Sequence, residues 1–157
     1  KAPRVGRQLF KPGAGRGARA QVEMGGKNPL VILDDADLGV AVDCAVQGAY
    51  FSTGQRCTAT SRFIVTQGIY GRFVKALTQR LAELRVGHAL DAATQIGPVV
   101  DAAQLEQDLS YIALGQAEGA RLVFGGERLQ REKEGFFLSP ALFVDAEPEM
   151  RIAREEI

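Results

Sequence analysis

The chain has 157 residues, of which 46% are hydrophobic, and this is enough for one domain with a substantial core. Nineteen Lys and Arg residues balance 19 Asp and Glu residues, so the overall charge favours neither nucleic acid nor an anionic membrane as a partner. Two cysteines are too few for a disulfide framework or a zinc cluster, and no apolar run approaches the roughly 20 residues of a membrane span. We expect a soluble, cytoplasmic, metal-free domain whose partner is a small molecule or another protein.

The first 20 residues are basic, because they contain six Lys and Arg residues and no Asp or Glu. A nucleic-acid-binding arm is one interpretation, but Phe10 is the only aromatic residue there, and the Gly-rich composition is as typical of a loose end. The run from Lys11 to Gly17 is rich in helix breakers and predicts that a helix entering near Arg4 stops before it. We therefore expect residues 1–20 to be loosely ordered and residues 21–157 to form the main domain.

The next elements alternate between strand and helix. Residues 28–33 form a short apolar run that ends in two aspartates, which predicts a buried strand. Asp35 or Asp37 can cap the helix that follows, and a second strand is predicted at residues 63–65. Cys57 therefore lies in the connection between a helix and a strand.

The second half of the chain continues with two helices and further strands. Residues 68–84 keep a strong helical period, and a second amphipathic helix is predicted to begin at Asp101. A strand follows at residues 122–124, and one or two more at residues 136–144. The order β-α-β-α-α-β-β is typical of a three-layer α/β/α domain with a largely parallel sheet.

Cys57 is the first candidate for chemistry. It lies on a turn that contains Gly54, with the cationic Arg56 beside it. A thiolate is a strong nucleophile, and nearby positive charge or peptide N–H groups favour its formation. A lone cysteine is also commonly a small buried hydrophobe, so the residues alone leave both interpretations open. Cys44 lies in an apolar helical stretch, and we expect it to pack in the core.

Glu23 is the second candidate. It is followed by Gly25 and Gly26 immediately before the buried strand. Glycines let a ligand approach the backbone closely, and a carboxylate beside an apolar strand can be desolvated into a base that is active near neutral pH. A plain turn with a solvated Glu explains the same residues.

Together the two segments resemble the aldehyde dehydrogenase superfamily. Residues 23–29, Glu-Met-Gly-Gly-Lys-Asn-Pro, are similar to its Glu-x-Gly-Gly-Lys signature, and residues 54–58, Gly-Gln-Arg-Cys-Thr, to its Gly-Gln-x-Cys signature. Glu23 and Cys57 are 34 residues apart, which is the family interval. The resemblance extends over residues 21–157 and implies the three-layer catalytic domain of that family.

The resemblance also implies a reaction. Cys57 attacks an aldehyde to give a thiohemiacetal, hydride passes to NAD or NADP, and Glu23 activates the water that hydrolyses the thioester. The Cys57 backbone N–H is implied as an oxyanion donor. Met24 and Gly25 are implied near the nicotinamide amide, and Glu156 near the nicotinamide ribose.

Arg56 and Thr58 flank the nucleophile and are implied to shape the substrate pocket. The stretch from residue 51 to residue 62 is most similar to dehydrogenases of 2-oxoglutarate semialdehyde, whose terminal carboxylate would suit Arg56. Succinate semialdehyde and simple aliphatic aldehydes remain open, as does the choice between NAD and NADP.

The family's dinucleotide-binding half and its bridging strands are not found in this sequence, and both ends look like cuts. We therefore expect a truncated catalytic domain that is inactive alone, from a parent that is a homo-oligomer. A non-catalytic assembly module, or a thiol sensor built on Cys57, is the competing interpretation. The joint presence of Glu23 and Cys57 favours the enzyme.

Overall fold

The computed structural model describes residues 2–157. It confirms the predicted order of strands and helices and adds a helix at the start, a two-residue strand at residues 128–129 and a short helix near the end. The elements are α1 (Ala2–Gly15), β1 (Asn28–Ile32), α2 (Leu38–Ala49), a 3-10 turn (Phe51–Gly54), β2 (Thr60–Val65), α3 (Gln67–Ala82), α4 (Ala102–Ala117), β3 (Arg121–Phe124), β4 (Arg128–Leu129), β5 (Phe137–Leu138), β6 (Leu142–Val144) and α5 (Arg151–Arg154).

Strands β1 and β2 pair in parallel, with Asn28 opposite Thr60 and Ile32 opposite Val65. Helix α2 makes the crossover between them, as a parallel connection requires. Asp37 caps this helix by accepting a hydrogen bond from the backbone N–H of Val40 at 2.9 Å. The predicted parallel pairing is therefore found where a helix crosses over.

The remaining strands pair in the antiparallel sense, β3 with β6 and β4 with β5. No helix separates β4 from β5, so the chain can return directly as a hairpin. The described strands thus form three two-stranded sheets, of which β1–β2 is parallel at its helical crossover, while the short strands after α4 depart from the predicted parallel order.

The core lies between β1, α2 and α3, and α3 confirms the period predicted for it. Its buried side chains recur at intervals of four residues, and the ring of Phe73 meets that of Phe63 edge to face with centroids 5.8 Å apart. The core residues of these three elements are Ile32, Ala41, Val42, Ala45, Val46, Ile69, Phe73, Leu77 and Leu81.

Cys44 is exposed, so its predicted place in the core is wrong. Helix α2 buries Val42, Ala45 and Val46, which share one face at intervals of three and four residues. Cys44 lies between them in sequence but on the opposite side of the helix. Apolar neighbours in sequence therefore do not show that Cys44 is buried. The helical period of 3.6 residues places its side chain on the exposed side.

Helix α1 continues through Pro12, so the predicted break before the Lys11–Gly17 run is wrong. Proline removes one backbone donor, and the helix keeps its other bonds on either side. The helix ends instead at Gly15, and Gly17 follows it with a φ of +70°, which permits the N–H of Gly17 to bond Ala14 O at 3.0 Å. The N–H of Ala18 reaches Gly13 O at 3.0 Å, which completes a glycine-dependent C-terminal cap.

One face of the β1–β2 ladder carries apolar side chains that nothing in residues 2–157 covers. Val31 is 56% exposed and Ile64, its partner in the ladder, is 50% exposed. Adjacent exposed apolar side chains of this kind favour association. No helix in residues 2–157 is long and apolar enough to cross a bilayer.

We expect the 157-residue chain to self-associate through this face. The double variant Val31→Thr, Ile64→Thr keeps β-branched residues in both strands but removes apolar surface. Its apparent mass should therefore stay that of a monomer as the protein concentration rises. Light scattering coupled to gel filtration measures this. The control is Leu90→Thr with Val100→Thr, which changes two exposed loop residues. Equal association of the two double variants would contradict the assignment of the face.

Candidate active site

The two predicted reactive residues lie at the same edge of the sheet. Glu23 precedes β1 and Cys57 precedes β2, and the amino ends of two parallel strands are neighbours. Both residues line one open cleft of about 1370 Å³. The cleft wall brings together six of the seven predicted site residues and leaves out Thr58. The six are Glu23, Met24, Gly25, Arg56, Cys57 and Glu156.

The chain reaches Cys57 through a left-handed backbone run. Ser52, Thr53 and Gly54 have φ values of 56°, 54° and 69°, a region that a β-branched residue such as Thr53 rarely adopts. Such strain is held only where surrounding contacts determine the conformation, and it concentrates at functional sites. A turn closed by the N–H of Ala59 to Arg56 O at 2.9 Å then presents Cys57, whose side chain is exposed.

Gln55 connects this turn to a distant loop. Its Oε1 accepts a hydrogen bond from the N–H of Val100 at 3.2 Å, while its Nε2 donates to Thr53 Oγ1. The amide thus bridges the strained run and the loop before α4. The Gly-Gln signature draws attention to Gln55, but the sequence does not reveal Val100 as its partner.

The Arg56 guanidinium contacts the end of helix α2. Its Nη2 donates to the carbonyls of Gln47 at 2.7 Å and Gly48 at 3.1 Å. A cation at this end satisfies carbonyls that have no intrahelical partner and suits the helix dipole. This contact uses one of the three guanidinium nitrogens, so Arg56 supports the turn while it also lines the cleft.

Glu23 is exposed, so the desolvation predicted for it is not found in the described chain. Its Oε1 accepts a hydrogen bond from Gln21 Nε2 at 2.8 Å. The neighbouring Met24 packs on helix α1, where a side chain at Gly6 would meet the Met24 sulfur at 2.6 Å. Helix α1 thus supports the segment that carries the carboxylate.

Glu156 and Gly25 are in close contact. A methyl group at Gly25 would overlap the Glu156 carboxylate, so only glycine permits this approach. Oε2 of Glu156 is buried and has no hydrogen-bond partner within residues 2–157. An acceptor left in this state fits a ligand that brings a hydroxyl or amide donor.

Glu155, the neighbour of Glu156, is held firmly. Arg151 donates to it through Nε at 2.8 Å and Nη2 at 3.0 Å, and the Tyr111 hydroxyl donates at 2.6 Å. These bonds, with that from Arg151 the strongest cause, lower the pKa of Glu155 to about 2. The end of the described chain is thereby tied to α4 and α5, which sets the position of Glu156.

Lys27 also lines the cleft, four residues after Glu23. Burial and the positive charge of Arg62 lower its pKa to about 8, although Glu155 and Glu156 act in the opposite direction. A substantial neutral fraction therefore exists in mildly basic solution, where an ordinary lysine is charged.

We expect the acetylation rate of Lys27 by a water-soluble ester to rise with a midpoint near pH 8, because only the neutral amine reacts. Arg62→Gln removes a neighbouring positive charge and should move this midpoint upward. Peptide mass spectrometry over a pH series measures both effects. Arg72→Gln is the matched control on the exposed side of α3, and an equal shift in the two variants would contradict the assigned cause.

Comparison with known proteins agrees with this geometry. The family model described as "Aldehyde dehydrogenase family" matches residues 2–157. The alpha-ketoglutaric semialdehyde dehydrogenase of Bacillus subtilis is 46% identical over 98% of this chain, and the betaine aldehyde dehydrogenase of Brucella ovis is 43% identical over the same share. The chain spans 32% of the length of these relatives.

Solved structures show the same fold. The betaine aldehyde dehydrogenase of Staphylococcus aureus in complex with NAD+ is 38% identical and superposes with a TM-score of 0.94, over 98% of this chain and 31% of that one. The HpcC protein of Thermus thermophilus superposes with a TM-score of 0.92. The chain therefore belongs to the aldehyde dehydrogenase family.

Proposed function

We propose that the full-length protein oxidises an aldehyde to the carboxylic acid with NAD or NADP, with Cys57 as nucleophile and Glu23 as general base. The observation that carries this proposal is the cleft at the amino edge of β1 and β2, which both residues line. A nucleophile and a base in one cleft supply the two groups that acyl formation and hydrolysis need.

The chain's own residues account for the steps at sulfur. The Cys57 thiolate adds to the carbonyl carbon, and its backbone N–H donates to the oxygen on which charge develops. Bound NAD(P)+ supplies the hydride acceptor. Glu23 then takes a proton from water, the water oxygen attacks the thioester carbon, and the C–S bond breaks to release the acid and the Cys57 thiolate.

Glu156, Gly25 and Met24 are proposed to hold the nicotinamide end of the cofactor. The buried Oε2 of Glu156 supports this, because it can accept from a ribose hydroxyl. Gly25 supports it as well, because its lack of a side chain lets the Glu156 carboxylate lie against the backbone at this place. Both cysteines are unpaired, which suits the cytoplasmic location that we propose for the full-length protein, and we propose that this protein is a homo-oligomer.

We further propose that the substrate carries a carboxylate, as 2-oxoglutarate semialdehyde does. Arg56 lines the cleft next to Cys57, and its contact with α2 leaves Nε and Nη1 outside that interaction. A guanidinium there attracts a carboxylate and repels the permanent cation of betaine aldehyde. Thr58 remains a proposed pocket residue through its place beside Cys57, although it lies outside the described cleft wall.

Glu23→Gln in the full-length enzyme should preserve acylation and hydride transfer but block thioester hydrolysis, since only the second half needs the base. We expect a burst of reduced cofactor, followed by turnover about 100-fold slower or more. Stopped-flow absorbance of the reduced cofactor measures both phases. Cys57→Ser is the control that removes the burst as well. Steady-state turnover near wild type in Glu23→Gln would exclude Glu23 as the base.

Arg56→Gln should lower kcat/KM for 2-oxoglutarate semialdehyde by about 10- to 100-fold more than for propanal, because a charge-assisted hydrogen bond is lost only with the charged substrate. Steady-state assays with the two aldehydes give this ratio. The neutral aldehyde is the control for the structural contact of Arg56 with α2. An equal loss for both substrates would assign Arg56 to support of the turn and remove it from substrate recognition.

A further inference from the structure

The Asn28 side chain bonds the nucleophile turn directly. Its Nδ2 donates to the carbonyls of Cys57 at 2.8 Å and Ala59 at 3.1 Å. Asn28 begins β1, and the ladder register shifts between it and Pro29, which has no N–H to donate. At this irregular position the side chain, rather than the backbone, links the start of β1 to the turn before β2.

A second bond runs in the opposite direction. Arg62, in β2, donates from its Nη2 to the carbonyl of Lys27 at 2.9 Å, although the two residues are far apart in sequence. Lys27 belongs to the segment that carries Glu23. A side chain from β1 thus bonds the turn that carries Cys57, and a side chain from β2 bonds the segment that carries Glu23.

We propose that Asn28 and Arg62 are positioning residues that form a reciprocal clamp, which fixes the Cys57 turn relative to the Glu23 segment. This inference rests on the proposed function. Both segments precede their strands, so no ladder hydrogen bond holds them. A hydrogen bond to the Cys57 carbonyl fixes the peptide group between Cys57 and Thr58, and so restrains the backbone that carries the nucleophile. A displacement of about 1 Å at a reacting group can cost about 100-fold in rate.

The amide of Asn28 has chemical properties that other small side chains lack. It supplies two N–H donors without charge, and the structure directs this nitrogen at two carbonyl oxygens. An ionised aspartate has the same shape but no donor and would repel both oxygens. Serine has a single O–H donor, so it can replace one bond at most. These differences give a graded series, Asn28, Asn28→Ser and Asn28→Asp.

Hydrogen exchange on the 157-residue chain tests the clamp without any activity. In Asn28→Asp we expect protection of the Ala59 N–H, which bonds Arg56 O, to fall about tenfold or more, with Asn28→Ser intermediate. The protection of α3 should change much less than that of Ala59, judged against Gln79→Glu, a control that makes the same amide-to-carboxylate change on the exposed side of α3. Unchanged protection at Ala59 in both Asn28 variants would overturn the proposal.

Single-turnover kinetics on the full-length enzyme test the positioning role. We expect acylation to fall about 100-fold in Asn28→Asp and less in Asn28→Ser, with cofactor affinity unchanged. Loss of protection with wild-type acylation would show a merely structural contact and overturn the positioning role. Retention of turnover by Cys57→Ser would instead refute the proposed function, and the exchange measurement would still decide whether the clamp exists.

Discussion

The parallel pairing of β1 with β2 is the constraint on which the rest of the site depends. Parallel strands place their amino ends together, and this brings Glu23 and Cys57 to one edge although they are 34 residues apart. The residues between them form β1 and the crossover helix, so the interval between the motifs is the length of chain that one strand and its crossover require. A slip of one residue in the ladder would turn Asn28 to the other face and separate the segments.

This edge is an unusual place for a ligand cleft. In open α/β sheets ligands commonly lie outside the carboxyl ends of the strands, where the loops converge. Here the proposed catalytic residues precede their strands, so the pairing brings the two segments together but does not fix their conformation. Side chains hold them there instead, because Asn28 and Arg62 join the two segments, Gln55 anchors the turn to Val100, and the Arg56 guanidinium attaches it to the end of α2.

The sequence was sufficient for features that repeat or that use local chemistry. The apolar period located α3, and the predicted start of α4 at Asp101 is confirmed, since the Asp101 side chain caps this helix by accepting from the N–H of Gln104 at 2.8 Å. Cys44 has apolar neighbours in sequence, but the helical period turns its side chain away from the buried face of α2. The left-handed φ of Thr53 and the partners of Asn28 depend on residues distant in sequence, so no local pattern contains them.

The least satisfied group in the cleft indicates how the site and its ligand depend on each other. A buried acceptor without a partner costs about 1–3 kcal/mol, and Glu156 Oε2 is in this state within the described chain. Two features keep it there: Gly25 leaves the space that the carboxylate occupies, and Arg151 with Tyr111 holds the adjacent Glu155. A ligand that donates one hydrogen bond to Oε2 recovers this free energy as affinity.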